Sequence, residues 1–319
     1  MNSELIDVVV TGREEQADGV AVFELSRKDG GLLPAFEAGA HVDVHVSPEI
    51  IRQYSLSNAP GHGTSYRLGI LKDPASRGGS IAIHENFNVG HELQISEPRN
   101  HFPLNMSGES SILVGGGIGV TPMLTMAYAL KAEGKSFEFH YCCRSRSSAG
   151  FLAELQSEFA EQLHLHFDDE GDEQRFNPEQ VFGAYAEGKH VYVCGPTGFM
   201  DWVISTAEEK CSYPKDNVHF EYFNAEVDNH GSAFEVVAEQ SGVTVMVEDG
   251  QSITEALATV GIKVDVSCEQ GVCGTCLCDV LEGTPDHKDH FLTDEEKEDN
   301  DQIVVCCSRS KTDRLVLDI

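Results

Sequence analysis

Basic residues are scarce in this sequence, which has 22 lysines and arginines against 53 aspartates and glutamates and a formal net charge of −31. Because so acidic a surface repels the phosphates of DNA and RNA, the composition argues against nucleic acid as a partner. Residues 228–319 hold 20 acids and 6 bases, a balance of −14, which leaves −17 for residues 1–227. Acidity spread in this way favours a solvated surface over a docking face, since steering needs charge gathered on one face.

Long apolar runs are also missing. No stretch approaches the roughly 18 consecutive apolar residues of a membrane-spanning helix. The opening MNSELIDVVVTGREE has neither the basic n-region nor the apolar h-region of a secretion signal. The sequence therefore predicts a cytoplasmic protein that does not enter a membrane. Its 319 residues are too many for one small core, so we expect two or three domains.

Cysteines, in contrast, are numerous, with ten in the chain. Cys268, Cys273 and Cys276 follow the C-x4-C-x2-C spacing with which plant-type ferredoxins hold a [2Fe–2S] cluster. A fourth cysteine is needed, and the run that contains Cys306 and Cys307 offers two candidates. The sequence predicts an iron–sulfur site in this segment.

Two other uses of these cysteines fit less well. Disulfides would need an oxidising compartment, which the lack of a secretion signal argues against. A structural zinc site is usually built from C-x2-C pairs, and the gap between Cys268 and Cys273 is too long for that. Gly271 and Gly274 allow positive φ, so the backbone can wrap closely around inorganic sulfide. The other six cysteines are expected to be mostly buried thiols.

The N-terminal part of the chain alternates apolar and polar residues in short runs from Leu5 to about Val46. Runs of this kind, separated by glycine and proline, are typical of antiparallel strands in a small barrel. An R-x-Y-S run then precedes a Gly-rich turn that leads into a helical segment; the two motifs are Arg52-Gln53-Tyr54-Ser55 and Arg77-Gly78-Gly79-Ser80.

This pair of motifs resembles the flavin domain of the ferredoxin–NADP reductase superfamily, although R-x-Y-S by itself is also compatible with an ordinary strand. A tyrosine ring can lie against the isoalloxazine, and a serine hydroxyl can bond to its polar edge. Arg52, Arg77 and the amides at a helix start can neutralise a phosphate. The resemblance implies that residues 52–55 and 77–80 seat a flavin.

A second section alternates strands with helices, which predicts a parallel α/β sheet with its ligand loops at the strand C-termini. Its first strand, Ser110–Val114, runs into the turn Gly115-Gly116-Gly117-Ile118-Gly119-Val120-Thr121-Pro122 and a helix. Such a turn can cradle a pyrophosphate, because backbone amides and the helix dipole face the anion. Two further strands follow, at 137–146 and at 190–196, and the second opens a helix over 197–209.

In the superfamily that this section resembles, the GGxGxTP and CGP turns bracket a nicotinamide dinucleotide. The resemblance implies that the pyrophosphate lies against Gly117, Gly119, Thr121 and Pro122. It places the ribose near Arg144 and Ser145. It places the nicotinamide near Cys194, Gly195 and Pro196. Cys194 could instead be only a buried strand-end thiol. Arg146 and Ser147 could hold a 2′-phosphate, so NADPH remains possible beside the NADH that related proteins usually prefer. The ending Val218–Phe223 resembles the HFExF close of the family, whose last aromatic, here Phe223, approaches the flavin; a plain edge strand is the alternative.

The C-terminal section predicts a β-hairpin and a helix ahead of the cysteine loop, which is the layout of a β-grasp ferredoxin. In the ferredoxin pattern an apolar residue follows the last ligand, and on this basis we favour Cys306 as the fourth one. The predicted organisation is an antiparallel β-barrel flavin domain at 1–104, a parallel-sheet nucleotide domain at 105–225, a linker at 226–233 and a plant-type ferredoxin domain at 234–319.

The order of these parts indicates a function. A hydride carries two electrons and a [2Fe–2S] cluster takes one, so a flavin is needed between them. The full chain resembles the reductase components of Rieske-type oxygenases in the phthalate dioxygenase reductase family, which includes the reductases of vanillate demethylase and carnitine monooxygenase. The resemblance implies FMN, NADH, a monomer and a separate oxygenase as electron acceptor. It places Ser55 and Cys194 at the catalytic centre.

One departure from that family concerns the cation near the flavin phosphate. The family often has Val-Lys-Arg where this chain has Ile70-Leu71-Lys72, so Lys72 is expected to supply the charge beside Ile70. Two other functions stay open at this point. One is a free-standing reductase of flavins, ferric chelates or cytochromes; the other, more remote, is a redox sensor governed by the state of the cluster.

Overall fold

The structure is a computed structural model that describes residues 5–48, 50–224 and 227–319. Residues 1–4 and 49 of the predicted flavin domain, residue 225 of the predicted nucleotide domain and residue 226 of the predicted linker therefore lie outside the described residues. The chain divides into two compact units, residues 1–223 and 224–319. Among the helices of the described segments, none is both long and apolar enough to cross a membrane.

The first unit begins with an antiparallel sheet, as the period-two patterning predicted. Six strands lie in the order β5-β4-β8-β1-β2-β7, and a bridge between Leu56 and Leu68 brings the end of β5 to β7, so the sheet curls toward a barrel. Its interior is apolar. The elements are β1 (Ile6–Ala17), β2 (Val20–Arg27), β3 (Leu33–Phe36), β4 (His41–Ser47), β5 (Ile50–Ser55), β6 (Gly61–Gly63), β7 (Ser65–Leu71), α1 (Gly79–Asn86) and β8 (Glu92–Ile95).

The remainder of the first unit is a five-stranded parallel sheet in the order β11-β10-β9-β12-β13, with an apolar core on each face. This confirms the predicted α/β class. Because the connections are helical crossovers, the ends of β9 and β12, the two central strands, meet at one edge. The elements are β9 (Ser110–Gly116), α2 (Val120–Ala132), β10 (Ser136–Cys143), α3 (Leu152–Glu158), β11 (Leu163–Phe167), α4 (Pro178–Phe182), β12 (Lys189–Gly195), α5 (Thr197–Ser205) and β13 (Val218–Tyr222).

The barrel and the parallel sheet share one core. Val22, Ala38 and Phe102 from the barrel side pack with the buried residues of α2 and β10. The amide of Gly39 donates to Thr125 Oγ1 at 2.9 Å, which adds a buried polar contact to that seam. The boundary predicted near residue 104 thus lies inside a single compact unit, because apolar side chains on both sides of it are buried together.

The second unit is a mixed sheet in the order β15-β14-β20-β16-β18, in which β14 and β20 are parallel and the other pairs antiparallel. Helix α6 begins at a capping box in which Ser252 and Glu255 satisfy each other's backbone amides. The layout confirms the predicted ferredoxin-like part. Its elements are β14 (Phe234–Ala238), β15 (Val243–Val247), α6 (Ile253–Thr259), β16 (Leu277–Glu282), β17 (Pro285–Asp286), α7 (Asp294–Asp299), β18 (Gln302–Val304), β19 (Arg309–Ser310) and β20 (Arg314–Leu317).

The segment before β14, predicted as a linker, is held to the second unit by Arg309. This arginine is 2% exposed, and its guanidinium donates to the carbonyls of Asn229 at 2.6 Å, Gln251 at 2.8 Å and Ser232 at 3.0 Å. It also lies 5.1 Å from the centre of the Phe234 ring. A buried guanidinium needs several acceptors, and here backbone carbonyls supply them.

Candidate cofactor sites

Arg52, on β5, lies over the start of helix α1. Its Nη1 donates to the Ile51 carbonyl at 2.7 Å and its Nη2 to the Arg77 carbonyl at 3.4 Å. A Cβ atom on Gly79 would come within 2.7 Å of Arg52 Cγ, so a side chain larger than hydrogen would displace the arginine. Gly78 caps the helix with φ 94°. A guanidinium beside helix-start amides is suited to a phosphate.

Tyr54 and Ser55 complete the predicted flavin motif. Burial raises the pKa of the Tyr54 phenol, and Ser55 is also buried. Gln53 Nε2 is buried with no hydrogen-bond partner among the described residues. Leaving such a donor unsatisfied costs about 1–3 kcal/mol, and the carbonyl-rich edge of an isoalloxazine would satisfy it. The donor set around β5 therefore fits FMN.

Other residues predicted to bind the flavin make contacts with neighbouring protein groups. The side chain of Ile70 lies in the barrel core, and its carbonyl hydrogen-bonds with His84 Nε2 at 2.9 Å. Ser80 Oγ accepts from the Asp73 amide at 3.2 Å. Lys72 is exposed, and its Nζ lies 3.7 Å from Glu85 Oε1. Any contribution of Ile70 to flavin binding would thus be through its backbone.

The two glycine turns of the nucleotide section meet, because they follow the paired strands β9 and β12. A Cβ on Gly119 would lie 2.2 Å from the Cys194 carbonyl oxygen. Thr121 Oγ1 donates to the Ile118 carbonyl at 3.0 Å, which fixes the turn, and Pro122 is in the first turn of α2. Gly117 has φ 55° and open space beside its Cα. This surface of backbone fits a pyrophosphate.

A carboxylate that the sequence analysis missed joins the flavin and nicotinamide residues. Glu221, on β13, pairs with Cys194 across the parallel strands. Ser55 Oγ lies 3.4 Å from Glu221 Oε2, and His41 Nδ1 lies 3.9 Å from Glu221 Oε1. Cys194 is fully buried, and burial raises its pKa well above the ordinary range. Glu221 lies inside the HFExF ending, whose aromatic residue alone had been considered.

Burial also raises the pKa of Glu221 to about 8, although the hydrogen bond from Ser55 opposes the shift. The carboxyl is therefore mostly protonated at neutral pH and can donate a hydrogen bond. His41 beside it is neutral, since burial lowers its pKa to about 3. The buried Ser55 and His41 and the partly buried Glu221 form a polar group at the place where the flavin and nicotinamide motifs converge.

A Glu221→Gln variant tests this protonation state. Because the folded-state pKa is raised, the stabilising contribution of Glu221 is complete below pH 4.5 and lost as the pH rises through about 8. Between pH 6 and pH 9 the wild type should lose on the order of 2–3 kcal/mol of unfolding free energy relative to the variant. Denaturant unfolding at the two pH values measures this. The exposed Glu161→Gln should behave as wild type; parallel curves for wild type and Glu221→Gln would contradict the assignment.

Arg144 and Ser145 lie at the end of β10, where the ribose was predicted, and acidic residues stand beside them. The amides of Asp168 and Asp169 donate to the carbonyls of Cys143 and Arg144 at 3.1 Å and 3.2 Å. These acids follow β11 in sequence, so only the pairing of β10 with β11 reveals them. This pairing brings two acidic residues to the end of β10.

Arg146, considered above for a 2′-phosphate, is already paired. Its Nε and Nη2 both contact Glu170, the latter at 3.1 Å, and its guanidinium lies 4.6 Å from the centre of the Phe167 ring. The predicted aromatic Phe223 is half-buried and packs against the core shared by the barrel and the parallel sheet. It therefore lies in the same unit as the flavin motif.

The four cysteines predicted to hold iron are brought together in the second unit. Each is at most 8% exposed. The Cys268 thiol hydrogen-bonds with the thiols of Cys273 and Cys306, and the Gln270 amide donates to Cys268 Sγ at 3.4 Å. The Val305 amide donates to the Cys276 carbonyl at 3.3 Å, which ties Cys276 to the turn after β18 that carries Cys306.

The loop around these thiols fits a [2Fe–2S] cluster. Cβ atoms would come within 2.4 Å of Cys307 Sγ at Gly271 and within 2.2 Å of the Phe291 ring at Gly274. Cys307 is buried, and its Sγ lies 3.7 Å from the Val304 carbonyl. All ten cysteines of the chain are free, so no disulfide competes with metal binding. Cys278 and Cys142 are half-buried and the other surplus thiols are buried.

The chain is similar over its whole length to several known proteins. A sequence model described as the 2Fe-2S iron-sulfur cluster binding domain matches residues 236–311. The chain is 49% identical over 318 residues to vanillate O-demethylase oxidoreductase of Pseudomonas sp., covering 99% of this chain and 100% of that one. It is 37% identical to the carnitine monooxygenase reductase subunit of Acinetobacter baumannii, covering 99% and 98%. A solved structure of phthalate dioxygenase reductase matches with a TM-score of 0.76 and 37% identity over 99% of this chain and 98% of that chain.

Together with the fold, these comparisons define an iron–sulfur flavoprotein oxidoreductase whose cofactors are FMN, NADH and a [2Fe–2S] cluster. The chain belongs to the phthalate dioxygenase reductase family, the reductase components of oxygenase systems. The recognition made from the motifs is thereby confirmed, as are the fold class and the cofactors.

Proposed function

We propose that this chain supplies electrons from NADH, one at a time, to a Rieske-type oxygenase that removes methyl groups from aromatic ethers. The observation that supports the reductase role most directly is the coexistence, in one chain, of a hydride-transfer site around Ser55 and Cys194 and a buried four-thiol site. Full-length similarity to vanillate O-demethylase oxidoreductase supports the class of oxygenase. A free-standing reductase would not need the thiol site.

The proposed roles follow the geometry. Residues 52–55 and 77–80 hold FMN; residues 115–123 and 194–197 hold the dinucleotide; and Cys268, Cys273, Cys276 and Cys306 hold the cluster. When bound, FMN accepts an electron pair and releases single electrons. Ser55 would orient the polar edge of the flavin, and Glu221 would hold the Ser55 hydroxyl through the hydrogen bond that it accepts from Ser55. The seam between barrel and sheet would exclude water.

The test is anaerobic titration of the holoprotein with NADH, followed by coupling to the oxygenase component of a vanillate O-demethylase. We expect flavin bleaching, the low-temperature EPR signal of a reduced cluster, and formaldehyde release that depends on both proteins. The oxygenase component of phthalate dioxygenase is the matched control, and we expect electron transfer to it to be slow. A cluster that stays oxidised would contradict the electron path. Reduction of both cofactors without any coupling, together with fast reduction of free flavins or ferric chelates, would favour the free-standing reductase.

We propose further that NADH is preferred over NADPH. Asp168 and Asp169 stand beside Arg144 and would repel a 2′-phosphate, whereas an acidic side chain can accept a hydrogen bond from a 2′-hydroxyl. Glu170 holds Arg146, the cation best placed to bind that phosphate. NADPH is thus disfavoured in two ways: the aspartates repel its 2′-phosphate, and Arg146 is paired with Glu170 instead of with that phosphate.

Releasing Arg146 should weaken this preference. A Glu170→Gln variant removes one negative charge and the ionic partner of Arg146. We expect kcat/KM for NADPH to rise about tenfold relative to that for NADH, which corresponds to a change of about 1.4 kcal/mol in relative transition-state binding. Steady-state kinetics with both nucleotides measure the ratio. Glu173→Gln, a neighbouring exposed acid, is the control and should leave the ratio unchanged. A ratio unaffected by Glu170→Gln would show that Arg146 does not face the ribose.

A further inference from the structure

A cluster of histidines lies on the outer part of the parallel sheet, on strands β10 and β11. Glu138 and His140 are two residues apart on β10 and so share a face. His140 pairs with His164 on the edge strand β11. The candidate ligand atoms of these three residues all lie within 4.8 Å of one another. The cluster is thus on different strands from the two glycine turns of the proposed dinucleotide site, which follow β9 and β12.

His140 is the central member and is buried, with 3% of its surface exposed. Its ring stacks on His164 at 4.6 Å and on His166 at 5.4 Å between centroids, and Phe176 packs against it at 5.6 Å. The side chain of Glu138, in contrast, is 52% exposed. The cluster therefore has a buried end and an end that is open to solvent.

The hydrogen bonds of this cluster form a chain with an acceptor at each end. Glu138 Oε2 lies 3.2 Å from His140 Nε2, and His140 Nδ1 lies 3.1 Å from His166 Nε2. His166 Nδ1 in turn lies 3.0 Å from the Gln174 carbonyl oxygen. The carboxylate and the carbonyl can only accept, so both end nitrogens must carry hydrogen.

Two neutral imidazoles cannot satisfy this chain. Each has one N–H, and if both hydrogens are used at the ends, the two nitrogens in the middle meet as a pair of acceptors. The hydrogen-bond chain can be satisfied only if one further proton or a cation is added to it. An added proton would make a buried imidazolium, and burial of a charge next to two other rings is costly. A cation between Glu138 and His140 removes the conflict without that cost.

We propose that Glu138, His140 and His164 form a binding site for a divalent transition-metal ion, with Zn²⁺ as the best-suited ion. The metal takes the lone pair of His140 Nε2, so the hydrogen of that ring moves to Nδ1. His140 Nδ1–H then donates to His166 Nε2, and His166 Nδ1–H donates to the Gln174 carbonyl. Every donor in the chain now has an acceptor. A ligating histidine whose other N–H is held in this way is the usual second layer of a metal site.

The ligand spacing is consistent with this proposal. Two ligands at about 2.0–2.1 Å from a tetrahedral ion are separated by roughly 3.3 Å, and the observed separation of Glu138 Oε2 and His140 Nε2 is 3.2 Å. His164 is exposed, so its ring can turn out of the stack to supply the third ligand. Two imidazoles, one carboxylate and a water make a four-coordinate site typical of zinc.

The test is calorimetric titration of the holoprotein with Zn²⁺, with the flavin and cluster spectra recorded before and after. We expect one saturable zinc per chain and unchanged spectra. Glu138→Gln and His164→Gln change exposed residues and should each weaken zinc binding at least about tenfold, by analogy with the losses seen at metal sites. The matched control is His219→Gln, since His219 is hydrogen-bonded to His190 at 2.9 Å but, among the described residues, this pair belongs to no group of three ligands close enough to hold a metal ion.

His166 is a positioning residue, and its role has its own readout. His166→Leu removes the acceptor for His140 Nδ1–H and should weaken zinc binding by about 10–100-fold. His166→Gln keeps an acceptor oxygen and should restore binding close to that of wild type. Zinc affinity that survives Glu138→Gln and His164→Gln would mean adventitious binding to thiols and would overturn the proposal. So would NMR evidence of an imidazolium at His140 that persists when zinc is added.

Discussion

A Cys306→Ser variant is expected to lose the cluster and with it all electron delivery to a one-electron protein acceptor, while FMN binding and its reduction by NADH continue. The reason is that Cys306 contacts Cys268 in the buried thiol group, and a [2Fe–2S] cluster needs four such ligands. Iron content should fall from about two atoms per chain to near zero. Iron analysis, EPR after reduction and reduction of cytochrome c measure the three parts of the prediction.

Cys307→Ser is the matched control, because Cys307 is the adjacent, equally buried thiol. It should keep its iron and its EPR signal, since its sulfur faces the Val304 carbonyl and the Gly271 backbone. Cys278→Ser, at a half-buried position, should also behave as wild type. If Cys307→Ser loses iron and Cys306→Ser keeps it, the fourth ligand has been assigned to the wrong cysteine.

A Gly119→Ala variant is expected to lose NADH binding and much of the stability of the first unit. The added Cβ would lie 2.2 Å from the Cys194 carbonyl oxygen and 2.4 Å from its carbon, and backbone cannot move aside as a side chain can. Overpacking typically costs about 1–3 kcal/mol, and a clash with backbone is at the upper end of that range. The midpoint of denaturant unfolding and the rate of flavin reduction at fixed NADH concentration report the two effects.

Gly198→Ala provides the control in the same region. Gly198 lies in the first turn of α5, and a Cβ there would meet nothing within 4 Å. Its free energy of unfolding should stay within about 0.5 kcal/mol of the wild-type value or rise, because alanine favours a helix. Equal behaviour of the two alanine variants would mean that the turns at the ends of β9 and β12 are not in the close contact described above.

Some site residues were predictable because their chemistry is local in sequence. The spacing of Cys268, Cys273 and Cys276 specifies a cluster loop without knowledge of the fold, since the three ligands come from one turn of chain. The turns that contain Gly119 and Pro196 likewise indicate a strand followed by a helix. The resemblance of R-x-Y-S and RGGS to a flavin motif placed Arg52 and Gly79 together, and the structure finds the arginine packed on that glycine.

The residues that were missed depend on which strands are neighbours. Glu221 is 166 positions from Ser55 and meets it only because β13 lies beside β12 at the seam with the barrel. Glu170 reaches Arg146, and His166 reaches His140, because β11 pairs with β10. None of these pairs has a fixed sequence spacing, so no local pattern could have indicated them.

The sequence by itself determined the class of this protein and its three cofactors, because short segments with fixed spacing carry that chemistry. Only the tertiary structure decided that the barrel and the parallel sheet share one core, and that Arg309 holds the segment before β14 to the second unit. It also decided which acids and histidines face the sites. Those outcomes depend on burial and strand order, which arise from contacts between residues far apart in the chain.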